Sequence, residues 1–252
     1  MLGPRARQKR PRLLKDCMPA GEPKWRFDEF QQIGRDYSTA EEVAIYDAMH
    51  AQFRDVAAES QAVLDALDLV EGATLLDIGC GTGFFPVDAA RRGFTVHAAD
   101  VSPAMLEHAA KREGAHAVQF HHAGFLTVEI EARSLDAITT TFAFHHLPDF
   151  WKGIALRRLA TMLKFGGKLY LRDVILQEEN ALENIAALVA HQDQLGGAPL
   201  REDVEGHFRE ENSTYDWVMD ELLHRAGFTI LEREFEGGVL GTYICTVEAP
   251  SG

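Results

Sequence analysis

The chain of 252 residues contains no run approaching the roughly 18 consecutive apolar residues of a membrane-spanning helix. Its first residues carry charge but no apolar segment, so they do not form a secretory signal. There are only three cysteines, Cys17, Cys80 and Cys245, and none stands in a C-x-x-C pair. An odd count without that spacing argues against a disulfide framework or a zinc knuckle, and sets a reducing, cytoplasmic location as the expectation. Internal repeats and low-complexity tracts are also missing. With 46% hydrophobic and 25% charged residues, the composition excludes disordered, collagen-like and coiled-coil classes.

Basic residues are scarce, except at the start. The net charge is −14, from 25 Lys and Arg against 39 Asp and Glu. Six of the cations (Arg5, Arg7, Lys9, Arg10, Arg12 and Lys15) lie in the first fifteen residues, which hold no acid. The rest therefore carries a net −20, and such a body repels phosphate backbones, which disfavours nucleic acid as a partner. Residues 1–23 read as a disordered basic tail with little to bury. Met18 opens a segment of different character and is a candidate for the native start.

A chain of this length fits one large domain with a cap. Trp25, Phe27, Phe30 and Ile33 form a short aromatic segment, and helical spacing from Thr39 to about Leu69 indicates two helices. A β–α rhythm follows. Strands are expected at 75–78, 95–99, 118–121, 136–140 and 168–173. Helices are expected at 84–92, from Ser102-Pro103 to Arg112, and from about Asp149 to Leu163. Strands alternating with helices at this spacing indicate an α/β, doubly wound parallel sheet. The rhythm stops at Leu176. Residues 177–195 read as a helix broken at Gly196-Gly197-Ala198-Pro199, and a polar, acidic stretch runs on to Asn212. Ser213-Thr214 then cap a helix to Arg225, and 229–235 with 241–247 close the chain as a hairpin.

The strongest chemical signal is Asp77-Ile78-Gly79-Cys80-Gly81-Thr82-Gly83, between the first strand and the first helix of the rhythm. Glycines there let the backbone turn sharply and approach a ligand, with helix N–H groups aimed at it. The spacing is G-x-G-x-G, unlike the G-x-G-x-x-G of dinucleotide binders, which disfavours an NAD-dependent oxidoreductase. Asp100 ends the second strand, where a carboxylate can accept both hydroxyls of a ribose.

On these residues the sequence resembles the class I S-adenosylmethionine-dependent methyltransferases, of the type 11-like kind. The resemblance spans roughly residues 37–247 and is most specific over 74–111. It implies a methyltransferase domain over 24–252, with S-adenosyl-L-methionine as cofactor. The implied fold is a Rossmann-like, seven-stranded, mainly parallel sheet whose last hairpin strand runs antiparallel, with N-terminal helices and a helical cap insertion at about 177–212. Asp77, Gly79, Gly81 and Gly83 match the glycine motif that holds the methionine part, and Asp100 matches the ribose acid. Val101 and Met105 match positions flanking the adenine. The family often has an acid or amide after the third strand for the adenine amino group. Here Ala123-Gly124-Phe125 stands instead, so the Phe125 N–H and ring are the expected substitutes.

After the fourth strand comes Thr141-Phe142-Ala143-Phe144-His145-His146-Leu147-Pro148-Asp149. In the family this strand faces the reactive sulfonium, so Thr141 joins the cofactor set. His145 and His146 are candidate bases. The competing structural reading has both histidines bonding the backbone or helix start, with Asp149 as the cap. Asp173, at the pocket rim, is the third catalytic candidate; pairing with Arg172 or capping the following turn is its alternative. Tyr37 is a candidate lid contact, and Trp25, Phe27 and Phe30 either share that lid or anchor the N-terminus. His121-His122 and His145-His146 start roughly 14 Å apart in the family's strand order, too far to share zinc, so no metal is expected.

The expected activity is methyl transfer to a small-molecule acceptor, with no membrane partner. The alternatives are an RNA or protein methyltransferase docking through the tail, or a non-catalytic S-adenosylmethionine-binding protein. The acceptor atom, the use of a base and the oligomeric state carry no sequence signature.

Overall fold

Apolar runs bounded by glycine become strands here, and the amphipathic stretches between them become helices laid over both faces. The structure, a computed structural model, describes residues 23–31, 43 and 55–249. The basic tail, Met18 and Tyr37 lie outside the described residues, as do 32–42 and 44–54, where most of the first N-terminal helix is expected.

Helix α1 (Val56–Leu67) opens at Asp55, whose carboxylate accepts from the Ala58 N–H at 3.0 Å. The rhythm then gives β1 (Thr74–Ile78), α2 (Phe84–Arg91), β2 (Thr95–Asp100), α3 (Pro103–Ala109), β3 (Val118–His122), β4 (Leu135–Thr141), α4 (Asp149–Met162) and β5 (Leu163–Leu176). Two further helices follow, α5 (Ala181–Gly196) and α6 (Ala198–Glu210). The chain closes with β6 (Thr214–Tyr215), α7 (Asp216–Ala226), β7 (Phe228–Glu236) and β8 (Leu240–Val247).

The strand order is β3-β2-β1-β4-β5-β8-β7; β8 runs antiparallel to both neighbours, and the other pairs along the path are parallel. Successive side chains of a strand point to opposite faces, and the core divides accordingly. Leu76, Ile138 and Leu171 pack with α4 and α7 on one face. Leu75, Ala137 and Tyr170 pack with α1 and α2 on the other. The expected doubly wound α/β sheet is present, and the order reverses between β1 and β4, which opens a crevice at their carboxyl ends.

Several boundaries differ from expectation, each for a local reason. A two-residue β6 adds an eighth strand by pairing with the end of β5. Helix α3 stops at Ala109, short of Arg112, whose guanidinium turns to the Thr82 carbonyl at 2.5 Å. Asp149 is not the cap of α4: Pro148 holds that position, and the Asp149 carboxylate accepts from Lys152 Nζ at 2.9 Å and Thr214 Oγ1 at 3.1 Å. Thr214 belongs to β6, so α7 starts at Asp216 without a Ser or Thr cap. The polar stretch before Asn212 is helical, as α6. No helix among the described residues is long and apolar enough to cross a membrane.

Candidate functional site

The loop from β1 into α2 turns on glycines in the left-handed region. Gly79 has φ +75°, and a Cβ placed on it would meet the Ala143 Cβ at 2.2 Å, so this loop lies directly against the one after β4. Gly81, at φ +52°, faces open space within 4 Å. The turn is fixed by the Gly79 and Cys80 N–H groups, which donate to the Ala99 carbonyl at 2.8 and 3.0 Å. Beside it, the buried Asp100 carboxylate accepts from Gly81 N at 2.8 Å and Ser102 N at 2.8 Å. Burial raises its pKa, against these two N–H groups, which favour the charged form. Asp77 lies deeper. Burial and the nearby Asp100 charge push its pKa up to about 7, although it accepts from Thr139 Oγ1 at 2.7 Å.

The space above these loops is a cavity of about 790 Å³. Gly79, Gly81, Asp100, Val101, Met105 and Thr141 line one end, and Gly124 and Phe125 extend it. The Phe125 ring is mostly core, edge-on to Phe144 at 5.0 Å. An acid from the N-terminal segment does reach the loop after β3. Glu29 accepts from Leu126 N at 2.9 Å and Thr127 Oγ1 at 2.7 Å, and lines the same cavity. A Cβ on Gly124 would come within 2.5 Å of the Glu29 carboxylate, so the glycine admits the acid. The aromatic segment divides between the cavity and helix α4. Phe27 lines the cavity, whereas Trp25 stacks on Trp151 of α4 at 6.4 Å between centroids.

At the other end, the turn 144–146 presents His145 and His146 to the cavity. His145 Nδ1 meets Asp173 Oδ1 at 2.5 Å and its Nε2 meets Glu211 Oε2 at 3.1 Å, so it bonds two carboxylates instead of the backbone. Asp173 also accepts from Phe144 N at 2.6 Å and His145 N at 3.1 Å. Arg172 turns away to Glu236, which removes the alternative pairing with Asp173. Burial disfavours charge on His145, but the two carboxylates outweigh it and raise its pKa to about 9. Burial and that neighbouring charge lower His146 to about 4. Burial opposes the Asp173 charge too, yet the His145 cation holds its pKa at about 2.

The structure thus gathers Gly79, Gly81, Asp100, Val101, Met105, Gly124, Phe125, Thr141, His145 and His146 around one cavity. Asp77 and Asp173 do not line it: Asp77 is buried against Thr139, and Asp173 is buried behind His145, which does line it. Sequence reasoning missed Glu29, which is 97 residues from its partner Leu126, and also His207 and Glu211. The last two carried a signal: Leu200, Val204 and Phe208 recur every four residues, and His207 with Glu211 repeats that spacing. The His121-His122 pair is not part of this cluster. His121 Nε2 meets His97 Nδ1 at 3.0 Å, and His122 meets the Val101 carbonyl at 3.0 Å.

Residues 75–167 match the methyltransferase domain family. An uncharacterized methyltransferase of Geobacillus thermodenitrificans is 30% identical over 203 residues, covering 81% of this chain and 88% of that protein. Among solved structures, a TehB-like S-adenosylmethionine-dependent methyltransferase from Corynebacterium glutamicum aligns with a TM-score of 0.61 at 16% identity, covering 83% of this chain and 98% of that one. A Haemonchus contortus phosphoethanolamine N-methyltransferase, in complex with phosphomonomethylethanolamine and S-adenosylhomocysteine, aligns with a TM-score of 0.58 at 16% identity, over 76% of this chain and 52% of that one.

Proposed function

The chain belongs to the S-adenosylmethionine-dependent methyltransferases, and from that membership we propose that it methylates a small molecule enclosed beneath helices α5 and α6. The observation that carries the reading is the single cavity running from the glycine loop to the inner faces of these two helices. Leu188, Leu195, Leu200, Val204 and Phe208 supply apolar surface there. Helices α5 and α6 roof part of this cavity, a shape that suits a metabolite-sized acceptor.

The residues present fit the cofactor. Gly81 leaves open space where a side chain would intrude, and the Asp100 carboxylate beside it has acceptor sites beyond its two backbone donors. When bound, S-adenosylmethionine supplies an electrophilic methyl group. The chain contributes placement, which is the main lever on an in-line displacement. In this reading Asp100 holds the ribose, Val101 and Met105 flank the adenine with Phe125, and Glu29 takes the adenine amino group. Gly79, Gly81 and Thr141 border the methionine end, supported from below by Asp77. His146 lines the acceptor side and is placed to take a proton from an acceptor that carries one. Asp173 is a positioning residue that fixes the ring of His145. The acidic lining (Glu202, Asp203, Glu210 and Glu211) favours a neutral or cationic acceptor over a phosphorylated one. The setting we infer is cytoplasmic, in keeping with the free, buried thiols of Cys80 and Cys245.

The test is transfer of labelled methyl from S-adenosylmethionine into a cell extract divided by size. Label in the fraction below about 3 kDa is expected. Label in RNA or protein, or none in any fraction, overturns the proposal.

A further inference from the structure

The contacts of His145 extend beyond the fold's own needs. Its Nε2 faces Glu211 Oε2 at 3.1 Å, and the same carboxylate oxygen meets His207 Nδ1. One donor atom from each of His145, His207 and Glu211 lies within 4.8 Å of the other two. All three residues line the cavity. From this arrangement we infer that His145, His207 and Glu211 form a binding site for a divalent transition-metal ion of the zinc class.

The outer contacts of the two rings support the assignment. A metal-bound histidine ordinarily has its second nitrogen bonded to a carboxylate, carbonyl or hydroxyl, which fixes the tautomer and aims the free nitrogen at the ion. His145 Nδ1 is held by Asp173 at 2.5 Å, and His207 Nε2 by Ser213 Oγ at 2.7 Å. Each ring therefore turns one nitrogen inward, toward Glu211. Ligands at about 2.0–2.2 Å from a tetrahedral ion stand roughly 3.3 Å from one another. The 3.1 Å separation of His145 Nε2 from Glu211 Oε2 is close to that edge length.

The two halves of the cluster come from distant parts of the chain, and the fold ties them together. Asn212 N donates to the His145 carbonyl at 2.9 Å, and the buried Lys152 ammonium joins the Asn212 carbonyl to Asp149. Strand β6 fixes the chain just after Ser213 against β5. Two imidazoles and one carboxylate suit zinc, cobalt or nickel better than magnesium or calcium, which prefer all-oxygen sites. Three protein ligands leave a position open on the cavity side, the pattern of catalytic and not of structural zinc. The inference does not depend on the identity of the methyl acceptor. A hydrogen-bonded cluster of the two histidines around Glu211 with no ion is the rival arrangement.

The test uses the full chain, stripped with chelator and dialysed against equimolar zinc, with bound metal measured by atomic emission and cobalt substitution followed by visible absorption. We expect one ion per chain and the intense absorption of four-coordinate cobalt. His207→Ala and Glu211→Gln should each weaken zinc binding more than 100-fold. Ser213→Ala, which removes only an outer contact, should weaken it by about 10-fold. Circular dichroism checks the fold of each variant, and the isosteric Glu211→Gln decides the matter if His207→Ala does not fold. Absence of stoichiometric zinc in the unmodified protein, or zinc retained at full affinity by Glu211→Gln, overturns the proposal.

Discussion

Replacing Asp100 with alanine removes a buried carboxylate that stands beside Gly81, where the proposed function puts the ribose of the cofactor. Each oxygen already accepts one backbone N–H, from Gly81 or Ser102, and each retains capacity for a further donor. Two ribose hydroxyls donating to a charged acceptor contribute about 1.5 kcal/mol each at the lower end of such bonds. Alanine should therefore weaken S-adenosylhomocysteine binding by about 3 kcal/mol, on the order of 150-fold in Kd. Loosening of the glycine loop would raise Kd too, so the variant alone does not isolate the ribose contact. Calorimetry with the 2′-deoxy analogue does, as a double-mutant-style cycle. The native protein should bind the analogue about 10-fold more weakly than S-adenosylhomocysteine, whereas Asp100→Ala should bind the two alike. An equal penalty for the analogue in both proteins would mean that the ribose is held by other groups.

Gly79→Ala should abolish cofactor binding and cost about 2–4 kcal/mol in chemical denaturation, since its Cβ overlaps Ala143 at a positive φ; Gly166→Ala, at φ +81° in open space, should cost only about 1 kcal/mol. The raised pKa of Asp77 means that the folded chain keeps a proton which the unfolded chain releases between about pH 4 and pH 7. Its contribution is therefore full below about pH 4 and is lost as pH rises toward 7, with about 4 kcal/mol as the ceiling, and Asp77→Asn should flatten that slope in denaturation of the cofactor-free protein. Gly124→Ala should push Glu29 off Leu126 and Thr127 and weaken S-adenosylhomocysteine binding several-fold, and Glu29→Ala should do the same; unchanged affinity in both would remove Glu29 from the adenine site. Lys152→Met should destabilise the fold by about 1–3 kcal/mol, because it strands the Asn212 carbonyl that the buried ammonium satisfies, and limited proteolysis should then cut first around residues 205–215.

The β–α rhythm was readable because buried parallel strands are short apolar runs, and Gly79, Gly81, Gly93 and Gly227 mark turns whose φ only glycine adopts easily. Asp100 was readable because the motif fixes its distance from the glycine loop. What escaped depended on closure across the chain. Glu29 reaches the cavity only because the N-terminal segment folds over Gly124, and no local pattern encodes a contact between residues 97 apart. Helix α6 was hidden by its charge: it buries no residue fully, so its apolar face reads as sparse, although Pro199 in its first turn and the four-residue spacing of Leu200, Val204 and Phe208 were both present. Without that helix, His207 and Glu211 could not be placed beside His145, so this cluster was not among the histidine pairs weighed for a metal. Strand β6, two residues long, exists only through its pairing with β5.

The account stands or falls on the cofactor. Calorimetric titration of the purified full chain with S-adenosylmethionine, S-adenosylhomocysteine and NAD tests it most directly. Saturable binding of both adenosyl ligands at one site per chain, with no heat from NAD, is the predicted result. Binding of NAD alone, or of none of the three, would contradict it.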